Sequence, residues 1–235
     1  MTKSIIITGG TKGIGKAIAL KFAQEGFNIA ICARTKEDLL KVKKELKKRN
    51  PNIAVISKRV DMQSRKQVEK FANKILKTWG SVDIIVNNAA AFIQDTLLEE
   101  SDDLLESMMA TNVFGAYYLT RKLLPIMIAE QAGHIFNICS VASQKVYPNC
   151  SSYVISKFAL LGFTKVLRHE LMDKHIKVTA VIPGATLTNS WADVDLPRGR
   201  IMPPEDIANS IWATYNLSPS TTVEEIVMRP QLGDL

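Results

Sequence analysis

Apolar and polar residues alternate in blocks along this chain, from its first residues to near its last. The runs SIIIT (4 to 8), FNIAICA (27 to 33), NIAVISKRV (52 to 60), DIIVNNA (83 to 89), HIFNICS (134 to 140) and IKVTAVIPG (176 to 184) predict six strands, and VEEIVM (223 to 228) predicts a seventh. Near-continuous apolar, β-branched runs of this length belong in a parallel sheet covered on both faces. Between them, apolar residues recur at helical spacing. Helices are predicted over 13–25, ending at Gly26, then across a lysine-rich stretch after the second strand, over 64–79, 102–129, 151–173 and 203–215. Pro125 is expected to bend or end the long fourth helix. Residues 185–203 carry no pattern and are expected to be irregular.

Strands alternating with helices of this length predict βαβ units. Residues 1–235 therefore read as one domain, an α/β doubly wound parallel sheet (a Rossmann fold) of about seven strands, without repeats or linkers. Such sheets bind ligands beyond the carboxyl ends of their strands. Those ends here carry TGGTKGIG, CAR, VDM, NNAAA, CSVAS and IPGATLT, which concentrate Gly, Asn, Ser and Thr.

Composition narrows the partners. Of 235 residues, 46% are hydrophobic and 23% charged, an ordinary globular balance with ample core. No run approaches the 18 or so apolar residues of a membrane span, and the first residues run straight into a strand without a leader peptide. The net charge of +7 raises nucleic acid or an anionic membrane as partners. Much of that excess sits in KVKKELKKRN (41 to 50), where Leu39, Val42 and Leu46 form the apolar stripe and the lysines occupy the other faces. That is a solvated helix, and no aromatic residues interleave the basic ones. Neither nucleic acid nor a membrane is expected. Cys32, Cys139 and Cys150 have neither metal-ligand nor disulfide spacing, so no metal and a reducing cytoplasm are expected. His134, His169 and His175 are scattered and receive no role.

TGGTKGIG (8 to 15) lies between the first strand and the first helix. Gly9 permits a tight turn, and Gly13 and Gly15 let backbone approach a phosphate and let helix pack on strand. The helix N-terminus adds amide donors and positive potential. Gly9, Thr11, Lys12, Gly13, Ile14 and Gly15 are thus expected to hold a dinucleotide. Past the second strand, where an NAD site places an acid, stand Arg34 and Thr35, with no acid until Glu37. A guanidinium pairs with a 2′-phosphate that a carboxylate would repel. With Lys12 as a second cation, the expected cofactor is NADP(H).

SSYVISKFA (151 to 159) places Tyr153 and Lys157 one helical turn apart on one face. A free phenol titrates near 10, which suits it poorly to proton transfer at neutral pH. An ammonium about 4 Å away, at an effective dielectric of about 20, is worth about 4 kcal/mol in favour of the phenolate. Such a pair can deliver a proton to an oxygen that gains negative charge as its carbon accepts a hydride.

Taken together, TGGTKGIG, NNAA, Asn112, Ser140 and the Tyr153–Lys157 pair resemble the short-chain dehydrogenase/reductase family, from about residue 4 to 216. The resemblance implies Tyr153 as catalytic acid/base and Lys157 as its activator and ribose ligand. It implies Ser140 as a hydrogen-bond donor to substrate and Asn112 as the holder of a water between Lys157 and solvent. For the cofactor it implies Asp61 at adenine, Asn88 and Ala89 along its border, and Pro183, Gly184 and Thr188 at the carboxamide. It also implies a small carbonyl or alcohol substrate, and a homodimer or homotetramer formed through the helices at 102–129 and 151–173.

Two positions depart from the family's usual pattern. Ala90 replaces the glycine of NNAG. The ending VEEIVMRPQLGDL lacks the Val-Asp-Gly-Gly of bacterial 3-oxoacyl-acyl-carrier-protein reductases and looks more like small carbonyl reductases. The leading reading is an NADPH-dependent carbonyl reductase. Reduction of a 3-oxoacyl thioester in fatty-acid synthesis and a non-enzymatic NADP-binding sensor or scaffold remain as alternatives. A substrate pocket is expected from 92–96, 141–147 and 185–202, with Phe92, Val146, Tyr147 and Trp191 in its lining. Lys145 and Arg198 are the cations nearest to it in sequence.

Overall fold

Isoleucines 5, 6 and 7 show how the sequence builds the layers. They are fully buried and point alternately to opposite sides of the first strand. In the computed structural model, which describes residues 2–188, 191, 195–197 and 199–235, Ile5 and Ile7 enter one apolar core and Ile6 the other. The strands are β1 (Ser4–Thr8), β2 (Asn28–Ala33), β3 (Val55–Arg59), β4 (Ile84–Asn87), β5 (Gly133–Ile138), β6 (Ile176–Pro183) and β7 (Glu225–Met228). They form one parallel sheet in the order β3-β2-β1-β4-β5-β6-β7.

Helices α1 (Gly13–Gln24), α2 (Lys36–Arg49) and α7 (Pro204–Tyr215) contribute to the first core. Phe22, Phe27, Trp212 and Tyr215 meet edge-on in the seam between α1 and α7. On the other face lie α3 (Arg65–Trp79), α5 (Gly115–Glu130) and α6 (Ser151–Leu171), packed around Phe71, Leu119, Leu123 and Leu167. Burying a side chain such as Phe22 or Phe71 is worth about 1.5–3 kcal/mol.

The predicted strands and helices are present, with differences at their ends. β3 begins at Val55 because the Ala54 amide is taken by the Asn28 side chain before the ladder starts. The long helix is broken where no proline stands. A short α4 (Leu104–Met109) passes through a π-turn at Ala110–Phe114 into α5. Pro125 does not end the helix. It lies inside α5 on the exposed side, where the backbone group that loses its partner can turn to water. Among the described residues, no helix is long and apolar enough to cross a membrane.

Strand order reverses between β1 and β4, which opens a crevice beyond their carboxyl ends.

Candidate active site

At that crevice the end of β1 is tied to the end of β4 by reciprocal bonds. Thr8 Oγ1 accepts from the Asn88 and Ala89 amides at 3.0 and 2.9 Å. Asn88 Nδ2 donates back to the carbonyls of Thr8 and Gly9 at 2.8 and 3.2 Å. The glycine loop is folded against this brace. Gly9 and Gly13 adopt positive φ, at 65° and 48°. A Cβ on Gly15 would stand 2.4 Å from Asn88 Nδ2 and 2.5 Å from the Gly9 carbonyl oxygen. Gly10, which sequence reasoning passed over, is just as constrained, since a Cβ there would meet Ile31 Cγ2 at 2.5 Å. The residue preceding α1, Lys12, makes no side-chain cap bond. The first-turn amides of α1 are thus left as donors at the mouth of the crevice, as a phosphate requires.

Past β2, exposed Arg34 lines the same cleft. Its carbonyl accepts from Arg59 Nε at 3.0 Å. Lys12 reaches across to Asp38 at 3.1 Å. Asp38, on the first turn of α2, is thus an acid at this end of the cleft. Asp61 also lines the cleft, held in a tight turn in which its Oδ1 accepts from the Gln63 amide.

At the other end, α6 presents Tyr153 and Lys157. Lys157 is 2% exposed. Its Nζ donates to the Ile138 carbonyl at 2.9 Å and sits 5.6 Å from the centre of the Tyr153 ring. Phe92 packs edge-on against that ring, with centroids 4.8 Å apart. Ser140, extended at the end of β5, accepts from the Ala142 amide and keeps its hydroxyl hydrogen free for another partner.

Asn112, expected to hold a water, is bonded on both sides of its side-chain amide. Its Oδ1 accepts from the Ala91 amide at 2.7 Å, and its Nδ2 donates to the Ala91 carbonyl and to Ser156 Oγ. Both Nδ2 hydrogens are used, and Oδ1 keeps one lone pair. Asn112, carried by the π-turn, clamps the 88–91 loop to α6, and Ser156 in turn donates to the Tyr153 carbonyl at 2.7 Å.

One cleft of about 610 Å³ brings the predicted residues together. Gly9, Thr11, Lys12, Gly13, Ile14, Arg34, Asp61, Asn88, Ala89, Ser140, Tyr153, Lys157, Pro183, Gly184 and Thr188 all line it, while Gly15 and Asn112 stand behind as packing and bracing residues. Thr188 covers Gly13: a Cβ on that glycine would lie 2.8 Å from Thr188 Cγ2. Phe92, Tyr147 and Trp191 line the cleft as expected, whereas Val146 is 72% exposed and outside it. Lys145 is not in the lining but stands over the outer ring of Tyr147. Arg198 lies outside the described residues.

Cys139 and Cys150 also reach the cleft wall, but burial pushes their thiols up, that of Cys139 to about 11. Neither is a ready nucleophile. Sequence reasoning also missed Asp234 and Leu235, which line the cleft from the far end of the chain. No local pattern marks residues whose place is set by the fold alone.

A family profile described as short chain dehydrogenase matches residues 3–198. The chain belongs to that family. It is 33% identical, over 243 aligned positions, to a sepiapterin reductase of Chlorobaculum tepidum, covering all of this chain and 99% of the relative. It is 30% identical to a 3-oxoacyl-acyl-carrier-protein reductase of Staphylococcus epidermidis, over 90% of each chain. The fold superposes with a TM-score of 0.91 on an alcohol dehydrogenase of Thermococcus sibiricus complexed with 5-hydroxy-NADP. That protein is 26% identical over all of this chain and 99% of its own.

Proposed function

We propose that this protein is an NADPH-dependent reductase that converts a carbonyl compound to an alcohol, with Tyr153 as proton donor. The observation that carries this reading is the Tyr153–Lys157 pair, opening with Ser140 into the cleft that the glycine loop begins. Bound NADPH supplies the hydride that adds to the carbonyl carbon. Ser140 donates a hydrogen bond to the carbonyl oxygen, and Tyr153 delivers its hydroxyl proton as charge collects there. The Lys157 ammonium, fixed by the Ile138 carbonyl, stabilises the phenolate left behind. Asn112 keeps the 88–91 loop and α6 in register.

The cofactor fits the chain's own features. Gly9 and Gly13 give the loop its shape, the uncapped start of α1 receives the pyrophosphate, and Arg34 and Lys12 receive the 2′-phosphate. Lys12 must leave Asp38 to do so. Solved structures in complex with NADP or 5-hydroxy-NADP carry the same fold, which supports NADP(H) over NAD(H).

We further infer a homodimer or homotetramer. Leu105, Phe114, Tyr117, Ile155 and Phe158, on α4 to α6 and the π-turn, each expose more than a third of their surface, and such a patch asks for a partner. Three buried, unpaired cysteines agree with a reducing cytoplasm.

The test is NADPH oxidation followed across simple aldehydes and ketones, a pterin ketone and an acetoacetyl thioester. Turnover on at least one carbonyl, abolished in Tyr153→Phe while NADPH still binds, is the expected result. A preference for the thioester moves the assignment to acyl-chain reduction. Tight NADPH binding without any turnover favours a sensor.

A further inference from the structure

The segment that follows β7 crosses the substrate end of the cleft and is fastened there. Met228 accepts from the Gly184 amide at 2.7 Å, and Pro230 packs against Gly184. The segment then turns through Gly233, at φ 81°, so that Asp234 and Leu235 face the cleft. Two side chains from other parts of the fold, Arg200 and Tyr147, and one of its own, Arg229, hold it. Arg200 donates to the carbonyls of Gly233 and Asp234 at 2.9 and 2.8 Å. Tyr147 donates to Asp234 Oδ2 at 2.6 Å, and Arg229 pairs with the same oxygen.

The geometry points to Asp234 as a specificity-determining residue. It is an internal counter-ion that closes the substrate wall and makes the site select uncharged carbonyl compounds over carboxylate-bearing ones. This inference rests on the reductase reading and adds the class of substrate. The side chains of Tyr147, Pro148, Trp191 and Leu235 line the same cleft and carry no charge. Of the nearby cations, Arg229 is committed to the Asp234 carboxylate and Arg200 to two carbonyls, while Lys145 stands outside the lining, over the Tyr147 ring. The Tyr147 hydroxyl, and then the Arg229 guanidinium, hold the Asp234 carboxyl below its ordinary range, so it stays ionised at neutral pH. A substrate carboxylate arriving here meets an ion pair whose two charges already cancel and, among the described residues that line this wall, no free cation. Its lost hydration then goes uncompensated, which disfavours it against a neutral group.

The test compares a neutral and an anionic form of one ketone, methyl benzoylformate and benzoylformate. Each turnover oxidises one NADPH, with hydride going to the ketone carbon and a proton to its oxygen. The wild type is expected to prefer the ester in kcat/KM by at least about tenfold. Asp234→Asn uncovers Arg229 and Lys145 and should shrink that ratio by about tenfold, mainly through KM for the acid, with NADPH affinity unchanged as the check on folding. Tyr147→Phe loosens the same fastening but keeps the carboxylate, so it should leave the ratio in place even if both rates fall. Equal use of acid and ester by the wild type, or a ratio that Tyr147→Phe shifts as much as Asp234→Asn, overturns the inference. Absence of turnover on both ketones, with activity elsewhere in the carbonyl panel, overturns it as well. Absence of activity across the whole panel defeats the reductase reading itself.

Discussion

His134 shows how a single buried side chain sets a pH limit. Thr179 Oγ1 gives its hydrogen to the Val223 carbonyl, so it can only accept from His134 Nε2, 2.8 Å away. The neutral ring therefore carries its proton on Nε2. Its Nδ1 is buried without a partner, and the ring stacks on Phe136 at 3.9 Å. A second proton has nowhere to bond. Burial, and then the nearby Lys177 charge, push this histidine down to about 3. An unfolded histidine titrates near 6.5, so between about 6.5 and 3 the unfolded chain binds a proton that the native one refuses. Stability should be fully present above pH 6.5 and fall below it, by at most about 1.4 kcal/mol per pH unit from this group. Thermal melting of the wild type and His134→Leu at pH 7.5 and 5.0 checks this: the wild type should lose more on acidification.

At the opposite edge of the molecule, Arg34→Ala should weaken NADPH binding by roughly ten- to a hundredfold, the scale of a lost charge-assisted pair. NADH binding should stay as it was. Titrations of the two cofactors by fluorescence separate these outcomes.

At the scale of elements, close packing between neighbours governs the site. Gly15→Ala would drive a methyl into the Gly9 carbonyl and Asn88, neither of which can retreat without breaking the β1–β4 brace. Overpacking of this kind costs about 1–3 kcal/mol. A lowered melting temperature together with weakened NADPH binding is expected, and calorimetry with a cofactor titration reads both.

The same scale explains what was legible in the sequence. The central strands were readable because they are apolar on both faces, and the helices because their stripes recur every turn. The glycine loop and the Tyr153–Lys157 pair were readable because their chemistry lies within one turn or one helix. The π-turn was not, because an extra residue in a helical turn leaves the hydrophobic stripe almost intact. Nor was the Asn112 clamp, since its partners, Ala91 and Ser156, lie 21 and 44 residues away. Asp38 was not singled out, because one position in a helix's first turn decides which carboxylate faces the cleft.

For the molecule as a whole, the two unequal faces of α6 matter most. Leu160, Thr164, Leu167 and Leu171 are buried, while Ile155, Phe158 and Val166 are exposed, with Gly162 open between them. In the proposed assembly these apolar side chains, at helical spacing on an outer face, form the contact with a second copy. Phe158→Asp should shift the protein to a smaller assembly in light scattering at micromolar concentration and lower its melting temperature. An unchanged mass would show that this face is not the contact. Because the helix that carries the exposed stripe also carries Tyr153 and Lys157, losing the contact should reduce turnover without changing cofactor preference.

The bonds between Thr8 and Asn88 also bear on the order in which the protein comes into being. The partners are 80 residues apart, so the shape of the glycine loop is not a property of the peptide that contains it. During synthesis, a nascent chain that ends before the fourth strand holds every glycine of the loop but not the strut that fixes them. Transplanting β1, the loop and α1 into another scaffold would carry over the sequence and leave the cradle behind. A portable form of this glycine cradle must extend at least from the first strand to Ala89.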